Sequence, residues 1–440
     1  MAMEQIAELG DRIEQRRPKL HRYRAYVRGE QPGAWRFIAD EVREQVGRRL
    51  APVIVNWPRM AVGAIEERLH VEGFDAGSDE LTERLWGWWL ANELDEQAGQ
   101  AHADALTYGS SYLTVWTGDE HPTIAVESPR QMIVDYAPGT GERRAALKLW
   151  REDGYGHAVL FGREQITTWR SERKLAESGE AIPATGWQQV DEVVNPLGVV
   201  PVVELRNRAG LLGDVASELD DVIPLADAIS KLATDMMVSA EFHAMPRRWA
   251  TGVEIPEVDA DDDEEAFAQT PGRTWLLEDP QARVGQFPEA NLSGFTNGIE
   301  LLTQQLASIS GLPPHYLNSL TGQLPSAESL RSAEASLVAK VRRRQRTFGR
   351  AWSEAARLAV MVADGVEPAS PIRTLWTDPE TRTFAQQADA AAKLYADGLL
   401  PWSAAMERLG YAPDEIEQMR SQRRQEALDG QGLDLEGLGS

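Results

Sequence analysis

One uninterrupted stretch of helix-forming sequence constrains the fold more than any other feature of this chain. No proline occurs between Ala327 and Val362, and the only glycine there is Gly349. Apolar residues recur along it at intervals of three, four or seven: Leu330, Leu337, Val341, Phe348, Trp352, Ala355, Ala359 and Val362. At ~1.5 Å per residue the helix would be roughly 55 Å long. Ordinary helices have ~8–20 residues, so this stretch predicts a scaffold larger than one compact domain.

A shorter helix and a loop are predicted just before the long helix. Apolar residues spaced by four and three predict a helix over residues 291–310: Phe295, Ile299, Leu302, Leu306 and Ile309. Gly311 and the following prolines stop that helix. The loop at 312–325 contains no Lys, Arg, Asp or Glu. Composition alone favours an ordinary surface loop here.

The rest of the chain changes from helical to strand periodicity and back, which predicts an α+β fold. Helices are expected over 2–30, 81–108, 214–245, 381–394, 401–409 and 414–428. Another is expected within 52–74, starting near Asn56 with Pro58 in its first turn. Pro224 is expected to kink or restart the helix at 214–245. Strands are expected at 111–117, 123–127, 131–136, 144–152, 157–161, 165–170, 199–205, 273–277 and 371–376. The tail from Asp429 is expected to be mobile.

Charge and composition exclude several classes of protein. The net charge of −24 argues against a protein that grips nucleic acid over its whole surface, because phosphate binding needs Lys and Arg. Alternatively, the acidity serves only solubility. Cysteine is absent, which excludes disulfides and thiolate metal sites. We expect no membrane-spanning helix and no signal peptide, and therefore assembly in a cytoplasm.

The sequence lacks the common motifs of enzymes and metal sites. The chain has no phosphate-binding glycine loop, no dinucleotide fingerprint, no zinc-protease motif and no serine-nucleophile elbow. The acidic run at 259–265 lacks the turn glycine and terminal Glu of a calcium loop, which favours a solvated loop. We therefore predict no cofactor, no metal and no catalytic residue. The rival interpretation is an acidic α+β enzyme that uses a carboxylate cluster and a divalent metal.

A basic block in the middle of the long helix is the strongest positive feature. It contains Lys340, Arg342, Arg343, Arg344, Arg346 and Arg350. Arg343, Arg346 and Arg350 share one helical face. Three interpretations stay open: pairing with acids of a neighbouring subunit, a solvated face, or contact with DNA. On the apolar stripe, Phe348 and Trp352 are expected to pack in the core or between subunits.

Several ordered motifs in this chain resemble those of the portal proteins of tailed bacteriophages. The first three are Ile309-Ser-Gly-Leu-Pro-Pro-His-Tyr-Leu, Pro325-Ser-Ala-Glu-Ser-Leu-Arg-Ser-Ala-Glu and Arg346-Thr-Phe-Gly-Arg-Ala-Trp. Four more agree: Tyr108-Gly-Ser-Ser-Tyr-Leu, Glu127-Ser-Pro-Arg-Gln, Ala146-Leu-Lys-Leu-Trp and Glu241-Phe-His-Ala-Met-Pro-Arg-Arg-Trp. Each motif alone is weak, and their order along the chain is the specific signal. The resemblance is to the SPP1-like portals, in the group that infects actinobacteria.

The resemblance implies a portal fold and a division of the chain into named parts. These are a mixed α/β wing (1–213), a first stem helix (214–245), a small β-containing clip (246–290) and a second stem helix (291–310). A tunnel loop (311–325), a long wing helix (326–366), a wing strand (367–378) and a helical crown with the tail (379–440) follow. The tunnel loop would line the channel with Pro313, Pro314, His315, Tyr316, Asn318, Ser319, Thr321 and Gln323.

The same resemblance implies a function without catalysis. It implies a homo-oligomeric ring, usually of twelve subunits, at one capsid vertex, with a channel for packaging and ejecting double-stranded DNA. The implied partners are the terminase large subunit, the head–tail adaptor, the major capsid protein and a scaffolding protein, with no membrane. Because no nucleotide motif is present, a packaging ATPase would be another chain. The implied location is the virion, and the host cytoplasm during assembly.

Overall fold

The structure is a computed structural model, and it has the α+β architecture that the sequence predicts. It describes residues 2–33, 36, 40, 43–44, 50–51, 53–175, 182, 185–243, 248–252, 282–286, 291–317, 327–380, 384–411 and 413–436. Within these ranges it contains eleven helices and twelve strands. Contacts divide the chain into two compact units, Met1–Pro379 and Glu380–Ser440.

The helices of the larger unit include one that is far longer than the others. They are α1 (Ala2–Arg28), α2 (Trp57–Glu66), α3 (Asp79–Ala91), α4 (Leu94–Tyr108), α5 (Val222–His243), α6 (Ser293–Ser310), α7 (Pro314–Leu317) and α8 (Ala327–Asp364). The 38 residues of α8 confirm the predicted long helix. Asn56 caps α2 by accepting a hydrogen bond from the backbone nitrogen of Arg59, with Pro58 in the first turn, as predicted.

The strands form four antiparallel sheets. They are β1 (Val71–Asp75), β2 (Ser110–Trp116), β3 (Thr123–Glu127), β4 (Met132–Tyr136), β5 (Arg143–Glu152), β6 (Tyr155–Phe161), β7 (Gln165–Ser171), β8 (Trp187–Val194), β9 (Val202–Arg206), β10 (Arg248–Thr251), β11 (Arg283–Gln286) and β12 (Arg373–Trp376). The strand orders are β4-β5-β6-β7-β8, β3-β2-β9, β1-β12 and β10-β11. In the largest sheet, Ala158 lies opposite Leu149 on one side and Trp169 on the other.

Two buried layers hold the larger unit together. The apolar side of α1 packs on the five-stranded sheet, where Ile6, Leu9 and Ile13 join Leu147 and Leu149 in one cluster. The second layer packs α8 against β2 and β9, together with α2, α3 and α4. Because one side of α8 is buried along most of its length, the body of the larger unit supports this helix and leaves its opposite side to solvent.

A helix pair and a small ribbon form a separate feature of the larger unit. Helices α5 and α6 pack against each other, and Gly298 brings α6 close to Leu232 of α5. A methyl group at Gly298 would lie 3.2 Å from that leucine side chain, so only a small residue allows this approach. Between the two helices in the chain, β10 pairs with β11. Helices α5 and α6 lie in the two segments that the resemblance to portal proteins assigns to the stem. The β10–β11 ribbon lies in the segment that it assigns to the clip.

The smaller unit is a three-helix arrangement. It contains α9 (Phe384–Ala396), α10 (Trp402–Arg408) and α11 (Pro413–Glu436), and α10 contacts both other helices. Arg423 of α11 lies over the rings of Trp402 and Tyr395, with its guanidinium carbon 5.5 and 5.9 Å from the ring centroids. The helix expected over 414–428 is longer than predicted, because α11 continues to Glu436.

Two further expectations are corrected by the structure. The single helix expected over 81–108 is two helices, because Glu93 takes a left-handed conformation (φ 54°). The side chain of Asn92 donates to the carbonyls of Trp88 and Pro122 and accepts from the nitrogen of Ile124. These bonds replace the helical pattern at the break. The helix expected over 214–245 begins only at Val222, which places Pro224 in its first turn.

Four strands were not expected from the sequence: β1, β8 and the two strands of the ribbon, β10 and β11. The first, β1, lies where the sequence was assigned to the end of a helical region, and it pairs with β12 about 300 residues further along the chain. The second, β8, is an edge strand in which every residue after Trp187 is exposed, so no alternation of buried and exposed residues marks it. The strand expected at 273–277 lies outside the described residues.

Candidate functional site

The apolar stripe of α8 belongs to the core of a single chain. Trp352 is 1% exposed, and its indole nitrogen donates to Nε2 of His102 across 2.9 Å. Its ring also meets Trp89 edge to face, with 4.8 Å between centroids. Phe348 is fully buried and stacks on the His102 ring at 5.4 Å. The structure therefore places both aromatic residues inside the larger unit, where they are not accessible to another copy.

The basic block of α8 separates into buried and exposed members. Arg344 is 4% exposed and forms an ion pair with Glu218, which is 7% exposed and also accepts a hydrogen bond from Asn207 at 3.1 Å. Lys340 donates to the carbonyl of Ser310, and burial lowers the pKa of its ammonium group. The block is thus not one uniform cationic face, because part of it is used inside the chain.

The other arginines of the block lie on the solvent side of α8. Arg342 pairs with Asp378 at 3.6 Å. Arg343, Arg346 and Arg350 are exposed, and none of them forms an ion pair within the described part of the chain. Helical spacing explains the division, since Arg344 falls on the buried side while steps of three and four keep the exposed three together. These three residues are the arginine face that the sequence predicts.

An open groove runs along the exposed side of α8 beside β12. Its volume is 1070 Å³. One wall carries Arg346 and Arg350, the opposite wall carries Arg373, and Ile372 and Trp376 contribute apolar surface. Arg343 lies outside this groove and lines a second, smaller one instead. The structure therefore divides the predicted arginine face between two depressions and adds Arg373 to the first.

Close packing of α8 against β12 shapes that groove. A methyl group at Gly349 would lie 2.9 Å from the indole nitrogen of Trp376, so a larger residue would push the strand away. Thr374 bonds to the Ser353 hydroxyl and to the Gly349 carbonyl, each at 3.0 Å. This explains why the only glycine of the predicted helix stands at 349.

An ion-pair network closes the end of the groove nearest the C-terminus of α8. Glu354 accepts from Arg357 at 2.8 Å and also pairs with Arg143 of β5. Burial acts to raise the pKa of the Glu354 carboxyl, but the bonds and charges of Arg357 and Arg143 outweigh it and hold that pKa below its usual range. Arg357 reaches Glu367 as well, at 2.6 Å. The cations at this end are thus neutralised, whereas Arg346, Arg350 and Arg373 have no ion-pair partner among the described residues.

The described start of the predicted tunnel loop is a short helix fixed to the body. Gly311 ends α6 in a left-handed conformation (φ 68°), as the sequence predicts. Pro313 is buried and Pro314 is exposed, while His315 and Tyr316 are half-buried in α7. Arg68 donates to the hydroxyl of Tyr316 at 2.9 Å and to Glu334 of α8 at 3.3 Å.

The remaining predicted loop residues, Asn318, Ser319, Thr321 and Gln323, lie outside the described residues. So does the acidic run at 259–265. The part of the loop that is described is therefore fixed at one end, by bonds from Arg68, just after α2, to α7 and α8.

Several important neighbours could not be found from the sequence. Glu218, Arg68 and Arg373 stand in segments for which the sequence predicts helix or strand, but no motif marks them as members of a site. Each is identified only by the residue it meets across the fold. His102 is one of seven histidines scattered along the sequence, and its burial against Trp352 has no local sequence signal.

The described residues contain neither a metal-binding cluster nor a membrane-spanning helix. Among them, no group of three or more His, Asp or Glu side chains is placed to hold a metal ion. Within the same residues, no helix is long and apolar enough to cross a membrane.

Comparisons with known proteins agree with this architecture. The family profile described as "Phage portal protein, SPP1 Gp6-like" matches residues 7–428. The portal proteins of Mycobacterium phages D29 and L5 are each 34% identical over 402 residues, which is 86% of this chain and 80% of the relative. The solved structure titled "Neck of empty GTA particle computed with C6 symmetry" matches with a TM-score of 0.51 at 14% identity. It covers 85% of this chain and 95% of that one, and it supports the fold alone. The chain belongs to the SPP1 Gp6-like family of phage portal proteins.

Proposed function

We propose that twelve copies of this chain form a ring at one vertex of a phage capsid, around a channel through which double-stranded DNA is packaged and ejected. The observation that carries this proposal is the match of the portal family to residues 7–428, supported by relatives named portal proteins. In this role the protein is a structural component of the virion and nucleates the head during assembly in the host cytoplasm. It has no catalytic role there.

The arrangement of the larger unit is consistent with a wing, a stem and a clip. We assign residues 1–213 to the wing, the helices within 214–245 and 291–310 to the stem, and 246–290 to the clip. Residues 311–325 are then the tunnel loop, 326–366 the long wing helix, 367–378 the wing strand and 379–440 the crown and tail. The pairing of α5 with α6, with the β10–β11 ribbon between them in the chain, supports the assignment of stem and clip.

Charge supports a channel through which DNA moves without sticking. The net charge of the chain is −24, and an acidic wall repels phosphates. In addition, residues 312–325 carry no ionisable group except His315 and Tyr316. A ring of repeated Lys or Arg would release counterions and hold the duplex. Uncharged loops at the narrowest point would instead let the duplex slide.

The proposal includes partners that dock in succession. The clip is the part of this chain that we expect to contact the terminase large subunit during packaging and the head–tail adaptor afterwards. The wing is expected to meet the major capsid protein and a scaffolding protein. The Asp and Glu side chains at 259–265 within the clip favour basic surfaces on these partners.

The mass of the assembled particle tests the proposal directly. One chain has a mass of 48.8 kDa, so a ring of twelve is expected near ~590 kDa by mass photometry, with a central hole in negatively stained images. A ring of a neighbouring number would correct only the stoichiometry. A monomer or dimer at micromolar concentration, with no rings in any condition that keeps the chain folded, would contradict the proposal.

A further inference from the structure

The groove between α8 and β12 holds three cations that no acidic side chain neutralises in the part of the chain that the structure describes. Arg346 and Arg350 line one wall and Arg373 lines the other. All three are exposed, and none has an ion-pair partner among the residues that the structure describes. The chain as a whole is strongly acidic. Three arginines without an ion-pair partner among the described residues, in a groove that also has apolar surface, are therefore unusual for this chain. This combination fits an acidic partner with an apolar contact surface.

Helix α3 of the same chain presents a matching surface. Glu80, Glu83, Gly87 and Leu90 follow one another at steps of three and four, which places them on one side of the helix. The two glutamates are exposed and form no ion pair within the described ranges. Leu90 is 48% exposed although it is large and apolar. The outer side of α3 thus combines negative charge with an apolar contact point.

Gly87 leaves a flat place on this side of α3, and no described residue of the same chain packs against it. A glycine inside a helix is less favourable than alanine, because it leaves more backbone freedom to the unfolded chain. In other positions of this fold such a cost is explained by close packing, as at Gly349. At Gly87, however, a methyl group would meet nothing within 4 Å. The missing side chain therefore leaves a flat site on α3 that another surface can approach closely.

The dimensions of the two surfaces agree. The part of α8 that lines the groove runs from Arg342 to Arg357, which is roughly 22 Å of helix. The exposed side of α3 from Asp79 to Leu90 is roughly 17 Å long. The groove is thus long enough to receive α3 with Leu90 on its apolar surface and the glutamates beside the arginines.

We infer that α3 of a second copy of this chain docks in the groove between α8 and β12, with Glu80 and Glu83 paired to Arg346, Arg350 and Arg373. The contact joins two different surfaces of identical chains, so it is head to tail and generates a closed ring when the rotation between copies is right. This inference rests on the proposed ring and specifies one of its contacts. The free cations and the free acids of one chain then neutralise each other between neighbours.

Charge exchange in the full-length chain tests the contact. Arg346→Glu with Arg350→Glu is expected to lower the fraction of chains in rings by roughly tenfold, because like charges then face each other. Glu80→Lys with Glu83→Lys is expected to have the same effect. All four substitutions together restore the opposite charges in exchanged positions, so rings are expected to return. Mass photometry at a fixed salt concentration measures each ring fraction.

A matched control separates a specific contact from an effect of net charge. Glu417→Lys with Glu426→Lys adds the same charge on exposed positions of α11, and combined with the two arginine substitutions it is expected not to restore rings. Circular dichroism checks that each variant is folded. Arg346→Gln with Arg350→Gln serves if the reversed arginines do not fold, and it is expected to weaken rings less.

The outcomes separate this inference from the proposed function. Rings formed equally by the wild-type chain and by the arginine variant would overturn the groove contact and leave the portal assignment intact. The groove contact is also overturned if the variant with all four substitutions forms no more rings than the two double variants. It is overturned as well if the Glu417 and Glu426 substitutions restore the rings of the arginine variant. A wild-type chain that forms no rings at all would overturn both proposals.

Discussion

Trp352 donates the hydrogen of its indole nitrogen to Nε2 of His102 across 2.9 Å, inside a core that excludes water from both rings. Because Nε2 accepts, the neutral imidazole carries its proton on Nδ1. Burial lowers the pKa of His102 to about 3. The histidine is therefore neutral in the folded chain at every pH at which an ordinary histidine becomes charged. It also joins α4 to α8, the longest element of the fold.

This lowered pKa predicts that mild acid destabilises the chain through His102. The folded pKa lies below the unfolded value of ~6.5, so the unfolded chain binds the additional proton. The stabilising contribution is present above pH 6.5 and is lost as pH falls from there toward 3. Between pH 7 and pH 5 the loss is roughly 2 kcal/mol. His102→Gln, which still accepts from Trp352 but does not titrate, is expected to be less stable at pH 7 and to lose less stability at pH 5.

Urea unfolding followed by tryptophan fluorescence at the two pH values measures this difference. His157→Gln is a suitable control, because His157 is only half-buried on β6, where it stacks on Trp150. The control is expected to keep the pH dependence of the wild-type chain. An unchanged pH dependence in His102→Gln would show that carboxylates, and not this histidine, dominate the acid sensitivity.

The buried ion pair of Arg344 and Glu218 predicts a strongly non-additive pair of substitutions. Arg344→Met leaves Glu218 as a buried charge with only its bond from Asn207, and is expected to cost about 3–5 kcal/mol. Glu218→Gln leaves the guanidinium unpaired and is expected to have a similar cost. The double variant buries no unpaired charge, so it is expected to lose much less than the two single variants together.

Urea unfolding of the four chains measures this coupling. Arg342→Met provides a comparison, because its pair with Asp378 is about half exposed on both sides and is expected to cost at most about 1 kcal/mol. Additive losses would mean that Arg344 and Glu218 contribute to the fold independently of each other.

The bond between Arg68 and Tyr316 predicts local control of the short helix α7. Tyr316→Phe removes the hydroxyl that accepts from Arg68, while the ring can keep its packing. A hydrogen bond contributes about 1 kcal/mol net, so amide hydrogens of α7 are expected to exchange roughly fivefold faster. Exchange in α8 is expected to stay unchanged. Tyr395→Phe in α9 removes a comparable hydroxyl, bonded to Arg423 at 3.2 Å, and serves as the control. Equal exchange in α7 of both variants would contradict the anchoring role.

Local signals in the sequence were sufficient for most elements of this fold. The helix α8 has a repeated apolar stripe and no proline, the end of α6 has Gly311, and the start of α2 has Asn56 and Pro58. Each signal acts within a few residues, so it can be found without knowing the fold. The break at Glu93 and the strand β1 depend on partners far away in the chain. Asn92 meets Pro122 and Ile124 there, and β1 meets β12.

The same distinction applies to the candidate site. Helical spacing was enough to place Arg343, Arg346 and Arg350 on one face. The spacing could not show that Arg343 lies outside the groove that Arg346 and Arg350 line, nor that Arg373 lines it too. The groove is formed by the packing of β12 against α8, which local spacing does not report. It also gave no sign that Arg344 is neutralised by Glu218. Contacts made across the fold decide which charges of a basic block are free.

The composition of the predicted tunnel loop leads to a last prediction about DNA movement. Residues 312–325 contain no lysine or arginine, and the described start of the loop is held to the body by Tyr316 and Arg68. Asn318 and Ser319 follow this anchor directly, outside the described residues. If they face the channel, Asn318→Lys with Ser319→Lys adds cations that repeat around the ring at its narrowest point. Such a ring binds phosphates and releases counterions, so packaging is expected to slow or stall while the rings form normally.

A terminase-driven packaging assay measures the rate and the amount of DNA protected from nuclease. Raised salt is expected to relieve part of the block, because it weakens each phosphate contact. Gln188→Lys with Gln189→Lys on the exposed strand β8 adds the same charge per subunit and is expected to package at the normal rate. Normal speed and yield in the Asn318 and Ser319 variant, with rings intact, would mean that the loop does not face the DNA. Loss of rings in that variant would instead assign the two residues to assembly.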